Sequence, residues 1–494
     1  MTKNPERVRE MKKAELIFIP LPGTSHLLPI LELAKRLIDR DDRISIAVLL
    51  IKLPFGGNHA INTKSHTADT NSRIRFIDVP QVDPPPMQLL MTSPETYFSL
   101  FTDKNTPHVR KIVEDIVSSH SHSDSNDSVR VTGLVIDVGF LRMMDVAIQL
   151  ALPCYIFFAS NIGNLSLMSY LSTRHADADQ ISTVEFQSFL DSELVTLPGF
   201  VNPVPVSVMP SGFFNKDGYT IFVQVAHRLK NVNGIIVNTF SELESYALNS
   251  FSRGGSNPPL YTVGPLLDLQ VHQANHDNSD KSQKILKWLD DQPESSVVFL
   301  CFGMGGTFGP EQVKEIATGL EKSEYRFLWT LRVSDLHQST DSDDGYDPDL
   351  FPGGFLERIG GRGMICRWAP QVKVLQHKAI GGFVSHCGWN SILESLCCGV
   401  PIVTWPLYAE QKFNAFMMAK ELGLAAAIES GSGKDNGGLM AAEEIAKAVR
   451  NVMDGDQRDE IRKKTMEMAE ISRKSLMEGG SSFVSIGKFI DLNF

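Results

Sequence analysis

The chain has 494 residues, a formal net charge of −11, 42% hydrophobic and 21% charged residues. That length predicts two domains with sizeable cores, and the composition is that of an ordinary globular protein. The acidic balance argues against a nucleic-acid backbone as partner, because such affinity rests on Lys and Arg.

No apolar run reaches the roughly 18 residues that a spanning helix needs. The basic start, MTKNPERVREMKK, leads into a short apolar run with prolines, so no signal peptide is expected. AELIFIP (14–20) reads as a strand and LLPILELAKRLI (27–38) as a helix, its apolar residues at helical spacing. Strands follow at RISIAVLLI (43–51), RIRFIDVP (73–80), LVID (134–137) and PCYIFFAS (153–160), with the helix-like MMDVAIQLA before the last. The alternation restarts at SVVFLCFG (296–303) and the helix PEQVKEIATGLEKS (310–323), with Pro310 in its first turn. RFLWTLR, MICRWAP, GGFVSH and VPIVTWP then read as strands with helices between them. Strand–helix–strand repeats of this kind imply right-handed crossovers and parallel sheets, an α/β fold.

The polar stretch 266–283 divides the two series. The expected organisation is a first domain over 1–255, a linker over 256–284 and a second domain over 285–477. A last helix near 478–494 is expected to pack back on the first domain. Residues 119–128, 334–349 and 429–438 read as surface loops. The six cysteines (154, 301, 366, 387, 397 and 398) show no C-x-x-C spacing, as for free thiols in a reducing cytoplasm.

In open parallel sheets, ligands bind beyond the carboxyl ends of the strands. GGFVS is apolar throughout and reads as a central strand, which puts His386 at its end. Asn390 or Ser391 is then expected to cap the next helix, with Ser391 and Glu394 at capping-box spacing. Gly388 permits close approach to the backbone. A helix start with unpaired N–H groups favours phosphate, and a histidine beside it adds a donor. Taken alone, His386 reads first as a core histidine bonded to backbone.

The other informative loop, PGTSHLLP, follows the first strand. His26 in it is a candidate general base, because imidazole titrates near neutral pH; the plain alternative is a solvent-facing histidine at a helix start. Asp137, at the end of LVID, is a candidate to fix its tautomer. Asp145 is the rival, though it sits in a helical pattern and is expected to face outward. Three further patterns fail as motifs. GMGGTFG (303–309) has Phe308 where a dinucleotide fingerprint needs glycine. Asp347-Pro348-Asp349 lies in an acidic loop rather than at a strand end. GTSHL lacks the second glycine of a nucleophile elbow, which leaves Ser25 a poor nucleophile. No His/Cys spacing suggests a metal.

The segment from Trp368 to Gln411 resembles the signature box of plant secondary-product glycosyltransferases, inverting UDP-sugar-dependent enzymes of family 1. It carries WAPQ (368–371), HCGWNS (386–391), Glu394 and GVPIVTWPLYAEQ (399–411) without a gap, and His26 and Asp137 fit the same family. AELIFIP, LCFG and WPLYAEQ look most like the branch acting on flavonoids, other phenolics and terpenoids. The resemblance implies the GT-B fold, two facing Rossmann-like domains with a cleft between them. By the same resemblance, Trp368, with Ala369 beside it, stacks on uracil, Gln371 contacts the nucleoside and Glu394 takes the ribose hydroxyls. His386, Gly388, Asn390 and Ser391 lie at the diphosphate. Trp389, Glu410 and Gln411 bind the sugar, the terminal Gln going with glucose. His26, held by Asp137, deprotonates a small lipophilic acceptor. UDP-glucose is the expected donor, with no cofactor or metal and a monomeric cytoplasmic protein.

Three departures stand out: Ser25 and Met304 replace a common Gly and Ser, and Val138-Gly139 replace bulky aromatics. Thr307 is the expected substitute for the hydroxyl missing at 304, and a wider acceptor pocket is expected beside Gly139. Met304 also suits a second reading, a UDP-sugar-binding protein without turnover. Another UDP-sugar as donor, or a nicotinamide-dependent oxidoreductase, are further alternatives.

Overall fold

The computed structural model describes residues 13–54, 73–121, 129–175, 177, 181–253, 257–267, 280–333, 346–428, 438–454 and 458–494. Most of the three expected surface loops, and the centre of the expected linker, lie outside the described residues. The chain divides into two compact units. Unit 1 comprises Met1–Phe186, Asn215–Asp268 and Glu478–Phe494; unit 2 comprises Gln187–Phe214 and Leu269–Met477.

In chain order the strands of unit 1 are β1 (Ala14–Ile19), β2 (Ile44–Leu50), β3 (Ile74–Asp78), β4 (Arg130–Asp137) and β5 (Cys154–Phe158). After them, β6 (Leu194–Val195) and β7 (Val204–Pro205) form a small antiparallel pair in unit 2. The chain returns to unit 1 for β8 (Gly234–Val237) and β9 (Leu260–Thr262). The sheet is parallel throughout, in the order β3-β2-β1-β4-β5-β8-β9. Its central strands are covered on both faces and so read as continuous apolar runs rather than alternating ones.

The helix Thr24–Arg40 buries Leu27, Ile30, Leu31, Ala34, Leu37 and Ile38, one stripe at helical spacing, against that sheet. The last helix, Ser481–Asn493, adds Ile486, Phe489 and Ile490 to the same core. Phe489 lies edge-on to Tyr155 and Tyr261, with ring centroids 5.0 and 5.2 Å away. Each fully buried side chain of this size stabilises the unit by roughly 1.5–3 kcal/mol.

Two features depart from the sequence reading. β9 falls inside the stretch read as linker; its three residues, hemmed in by prolines, are too few to show a period. Residues 187–214, read as part of the first domain, cluster with unit 2. There the Glu421 carboxylate accepts from the Val201 and Asn202 N–H groups, each at 3.0 Å, and Phe200 packs on Phe413 at 5.3 Å.

Unit 2 holds β10 (Val297–Cys301), β11 (Arg326–Thr330), β12 (Gly363–Cys366), β13 (Ile380–Ser385), β14 (Ile402–Thr404) and β15 (Ala425–Ala427). All pairs are parallel, in the order β12-β11-β10-β13-β14-β15. This is the doubly wound 3-2-1-4-5-6 order, and the first five strands of unit 1 repeat it. In each unit the order reverses between two adjacent central strands, β1 and β4 in one and β10 and β13 in the other. Ligand sites belong at those two places.

Candidate active site

In unit 1, the reversal point brings the loop after β1 beside the end of β4. Pro20 to Gly23 leave β1, and the helix that begins at Thr24 carries His26 in its first turn. β4 ends on Asp137, which is fully buried and begins a 3-10 turn by accepting from the Gly139 N–H at 3.0 Å. The other carboxylate oxygen of Asp137 meets His26 Nδ1 at 2.8 Å. A carboxylate only accepts, so Nδ1 carries the proton and the basic lone pair sits on Nε2. The two residues are 111 positions apart in sequence and are joined only because β1 and β4 are neighbours. The rival, Asp145, is half exposed and paired with Arg228 at 2.9 Å.

Beside Gly139, where the wider pocket is expected, stands Leu21: a Cβ built on the glycine would lie 3.0 and 3.1 Å from its two methyls.

In unit 2, the buried strand β13 runs into His386, Cys387 and Gly388, and the helix Trp389–Cys398 follows. Cys387 adopts a left-handed φ of 65°, unusual for a residue with a Cβ. Two bonds hold it there: its N–H donates to Ser385 Oγ at 3.1 Å, and its carbonyl accepts from Asn414 Nδ2 at 3.0 Å. The turn presents Gly388 as the residue before the helix, with no side-chain cap on the first turn. The expected cap at Asn390 or Ser391 and the Ser391–Glu394 capping box are therefore not formed. The helix begins at Trp389, which puts Ser391 inside its first turn, and Gln371 Nε2 donates to Ser391 Oγ at 2.8 Å and to Glu394 Oε2 at 2.6 Å.

His386 is 7% exposed, and its Nδ1 has no hydrogen-bond partner among the described residues. Burial lowers its pKa to about 4, so it is a neutral imidazole at physiological pH, with one N–H to donate. Its Nε2 is wedged between two glycines: a Cβ on Gly303 would be 2.7 Å away and one on Gly388 2.6 Å. Gly303 has a φ of +70° and belongs to the loop between β10 and the helix Pro310–Ser323, which also carries Met304 and Thr307. Both Met304 and Thr307 are exposed. Burial pushes the Glu394 carboxyl up to about 7, against the lowering effect of the Gln371 bond.

Trp368, just past β12, is 46% exposed, an open indole face at a strand end, while Ala369 beside it is buried. Trp389 is buried in the first helical turn, so its ring face is not open to a ligand. Asn390 is half-buried. Gln411 is buried, and its Oε1 accepts from the Leu407 and Tyr408 N–H groups at 2.8 and 3.0 Å, which directs the amide NH2 end elsewhere. Glu410 precedes the helix Gln411–Phe416. Three groups went unnoticed in the sequence: Gln371 as a bridge, Gly303 as the seat of an imidazole, and Leu21. Each acts through a contact that no spacing encodes.

The Asp347-Pro348-Asp349 triplet has a structural use, since Asp347 Oδ1 accepts from the Asp349 N–H at 3.0 Å to start a 3-10 turn. Among the described residues no cluster of three or more His, Cys, Asp or Glu is placed to hold a metal, and no helix is long and apolar enough to cross a membrane.

Each of the two doubly wound units thus carries polar groups at its reversal point, an imidazole–carboxylate pair in one and a helix start beside a buried histidine in the other. Residues 265–478 match the UDP-glucoronosyl and UDP-glucosyl transferase family. The chain is 49% identical to UDP-glycosyltransferase 71K1 of Malus domestica over 97% of its own length and 99% of that protein. It is 45% identical to flavonol 3-O-glucosyltransferase UGT71C4 of Arabidopsis thaliana over 97% and 98%. The crystal structure of Medicago truncatula UGT71G1 complexed with UDP-glucose superposes with a TM-score of 0.84 at 44% identity, covering 97% and 98% of the two chains. The chain belongs to the plant family 1 UDP-glycosyltransferases, enzymes of the GT-B fold.

Proposed function

We propose that the protein is an inverting UDP-glucose-dependent O-glucosyltransferase acting on small lipophilic plant metabolites such as phenolics or flavonoids. The observation that carries this reading is the His26 Nδ1–Asp137 Oδ2 bond of 2.8 Å, which leaves Nε2 basic. His26 Nε2 takes the proton from an acceptor hydroxyl. The acceptor oxygen forms its bond to the anomeric carbon from the face opposite UDP, the bond from that carbon to the diphosphate oxygen breaks, and the α-linked donor becomes a β-glucoside. Asp137 orients the imidazole and stabilises the imidazolium that forms. A base so placed contributes roughly 10²–10⁴-fold.

Unit 2 supplies the leaving group's environment. The first N–H groups of the helix Trp389–Cys398, with Asn390, Ser391 and Thr307 hydroxyl or amide groups, meet the diphosphate. His386, neutral and with an unsatisfied nitrogen, adds a donor there. Charge stabilisation by these fixed dipoles is proposed to make a divalent metal unnecessary. Trp368 stacks on the uracil beside Ala369, Gln371 contacts the nucleoside, and Glu394 accepts from the ribose hydroxyls. Glu410, the Gln411 amide and the Trp389 N–H bind the sugar, with Gly388 allowing close approach. Cytoplasmic location, which six free cysteines suit, belongs to the same reading, as does a monomeric state.

Incubation with UDP-glucose and a panel of phenols, followed by mass spectrometry, tests the proposal. A product heavier by one hexose, formed equally well in EDTA and faster than with UDP-galactose or UDP-glucuronate, is expected. UDP-glucose binding without product would favour a binding protein. Faster turnover of another UDP-sugar would overturn the donor assignment.

A further inference from the structure

β1 and β4 are adjacent, and Leu21 and Gly139 each stand two residues past the end of their strand. A Cβ on Gly139 would lie 3.0 and 3.1 Å from the two methyls of Leu21 and 3.5 Å from Asp137 Oδ1. Contacts at 3.0 Å are closer than side-chain carbons pack, so Leu21 occupies the space that any side chain at 139 would claim. Neither residue is part of the closed core: Leu21 is half-buried and Gly139 is exposed. The opposite oxygen of Asp137 holds His26 at 2.8 Å. The methyls of Leu21 and the carboxylate that holds His26 thus both border the space beside Gly139. A leucine side chain has only a few staggered rotamers, and glycine at 139 supplies no side chain to select among them.

We propose that Leu21, seated in the space left open by Gly139, is a specificity-determining residue that limits the width of acceptors able to reach His26. The proposal rests on the acceptor reading above and narrows it: single-ring phenols fit with Leu21 in place, and broader fused-ring phenols are held back by it. Leu21 takes no part in proton transfer. Its effect lies in the choice between acceptors, since each methylene added to or removed from an apolar pocket changes discrimination by roughly tenfold or more. The same wall can be built from the other side, because the two positions compete for one volume.

The test compares kcat/KM for a single-ring and a three-ring phenol of matched acidity, with UDP-glucose as donor. Leu21→Ala is expected to shift the ratio toward the three-ring acceptor by roughly tenfold, with KM for UDP-glucose unchanged. Leu21→Val should shift it the same way by less, which keeps the question open to measurement if the alanine variant folds poorly. Adding Gly139→Leu to Leu21→Ala should move the ratio back toward wild type. Wild-type turnover with an unchanged ratio in both Leu21 variants overturns the proposal and leaves the glucosyltransferase reading intact. If the wild-type enzyme glucosylates neither phenol, the acceptor reading falls and this inference falls with it.

Discussion

The two units share a strand order, yet their reversal points are built differently. In unit 2 the turn from His386 to Gly388 is fixed from every side. Ser385 and Asn414 hold the left-handed Cys387, Gly303 and Gly388 close on the imidazole, and Gln371 ties Ser391 to Glu394. In unit 1 the Asp137 carboxylate bonds the His26 ring, and Leu21 stands beside Gly139. A nucleotide has one shape, so the surface that grips it can be rigid and fully pre-organised. An acceptor class is broader, and a scaffold that fixes only the base leaves the rest to side chains that can be exchanged.

Substitutions at the two points should separate along that line. Asp137→Ala removes the carboxylate that fixes the His26 tautomer and is expected to lower kcat by roughly 10²-fold while leaving UDP affinity unchanged, as steady-state kinetics and calorimetry would show. A parallel loss of UDP binding would mean that Asp137 supports the fold rather than the base. Glu394→Gln loses a charged acceptor and should weaken UDP binding by about 1.5–3 kcal/mol. Because burial pushes the Glu394 carboxyl up to about 7, lowering the pH from 8 to 6 protonates it. UDP affinity of the wild type should therefore fall more steeply from pH 8 to 6 than that of Glu394→Gln, in which only the nucleotide's own phosphate titrates over that range.

Gly303→Ala sets a methyl 2.7 Å from His386 Nε2 at a φ of +70°. It should cost about 1–3 kcal/mol of thermal stability and displace the imidazole, which weakens UDP binding. The smallest effect is expected at Arg228→Ala. Its ion pair with Asp145 is partly exposed, so the loss should be within about 1 kcal/mol and activity should be unaffected. A large loss there would show that the Asp145 pair contributes to the unit 1 site.

Much of this architecture is legible in the sequence because buried parallel strands are continuous apolar runs. β1, β2, β10 and β13 lie where AELIFIP, RISIAVLLI, SVVFLCFG and GGFVSH place them, and the helix Pro310–Ser323 matches its expected bounds. Other elements were hidden. The helix Pro94–Ser121 contains Pro107, and it buries Thr102 and Asn105, whose side chains bond the carbonyls of Phe98 and Phe101 one turn back. Polar residues that satisfy themselves along the helix break the apolar period on which detection depends.

The site shows the same division. The donor box is contiguous, and its spacing points to a helix start after a buried strand. The roles of Gln371 and Gly303 depend on neighbouring strands and loops folding together, which spacing does not record. Ser391 and Glu394 have capping-box spacing, but the helix begins two residues earlier, at Trp389, and Gln371 from another element bonds both side chains.

The most direct test of the central claim compares wild type with His26→Ala on two acceptors, a weakly acidic alcohol and an acidic phenol, at saturating UDP-glucose. If the His26–Asp137 pair is the base, the variant loses about 10²–10⁴-fold on the alcohol and much less on the phenol, whose proton leaves more readily. Near-full activity of His26→Ala on the alcohol would contradict it.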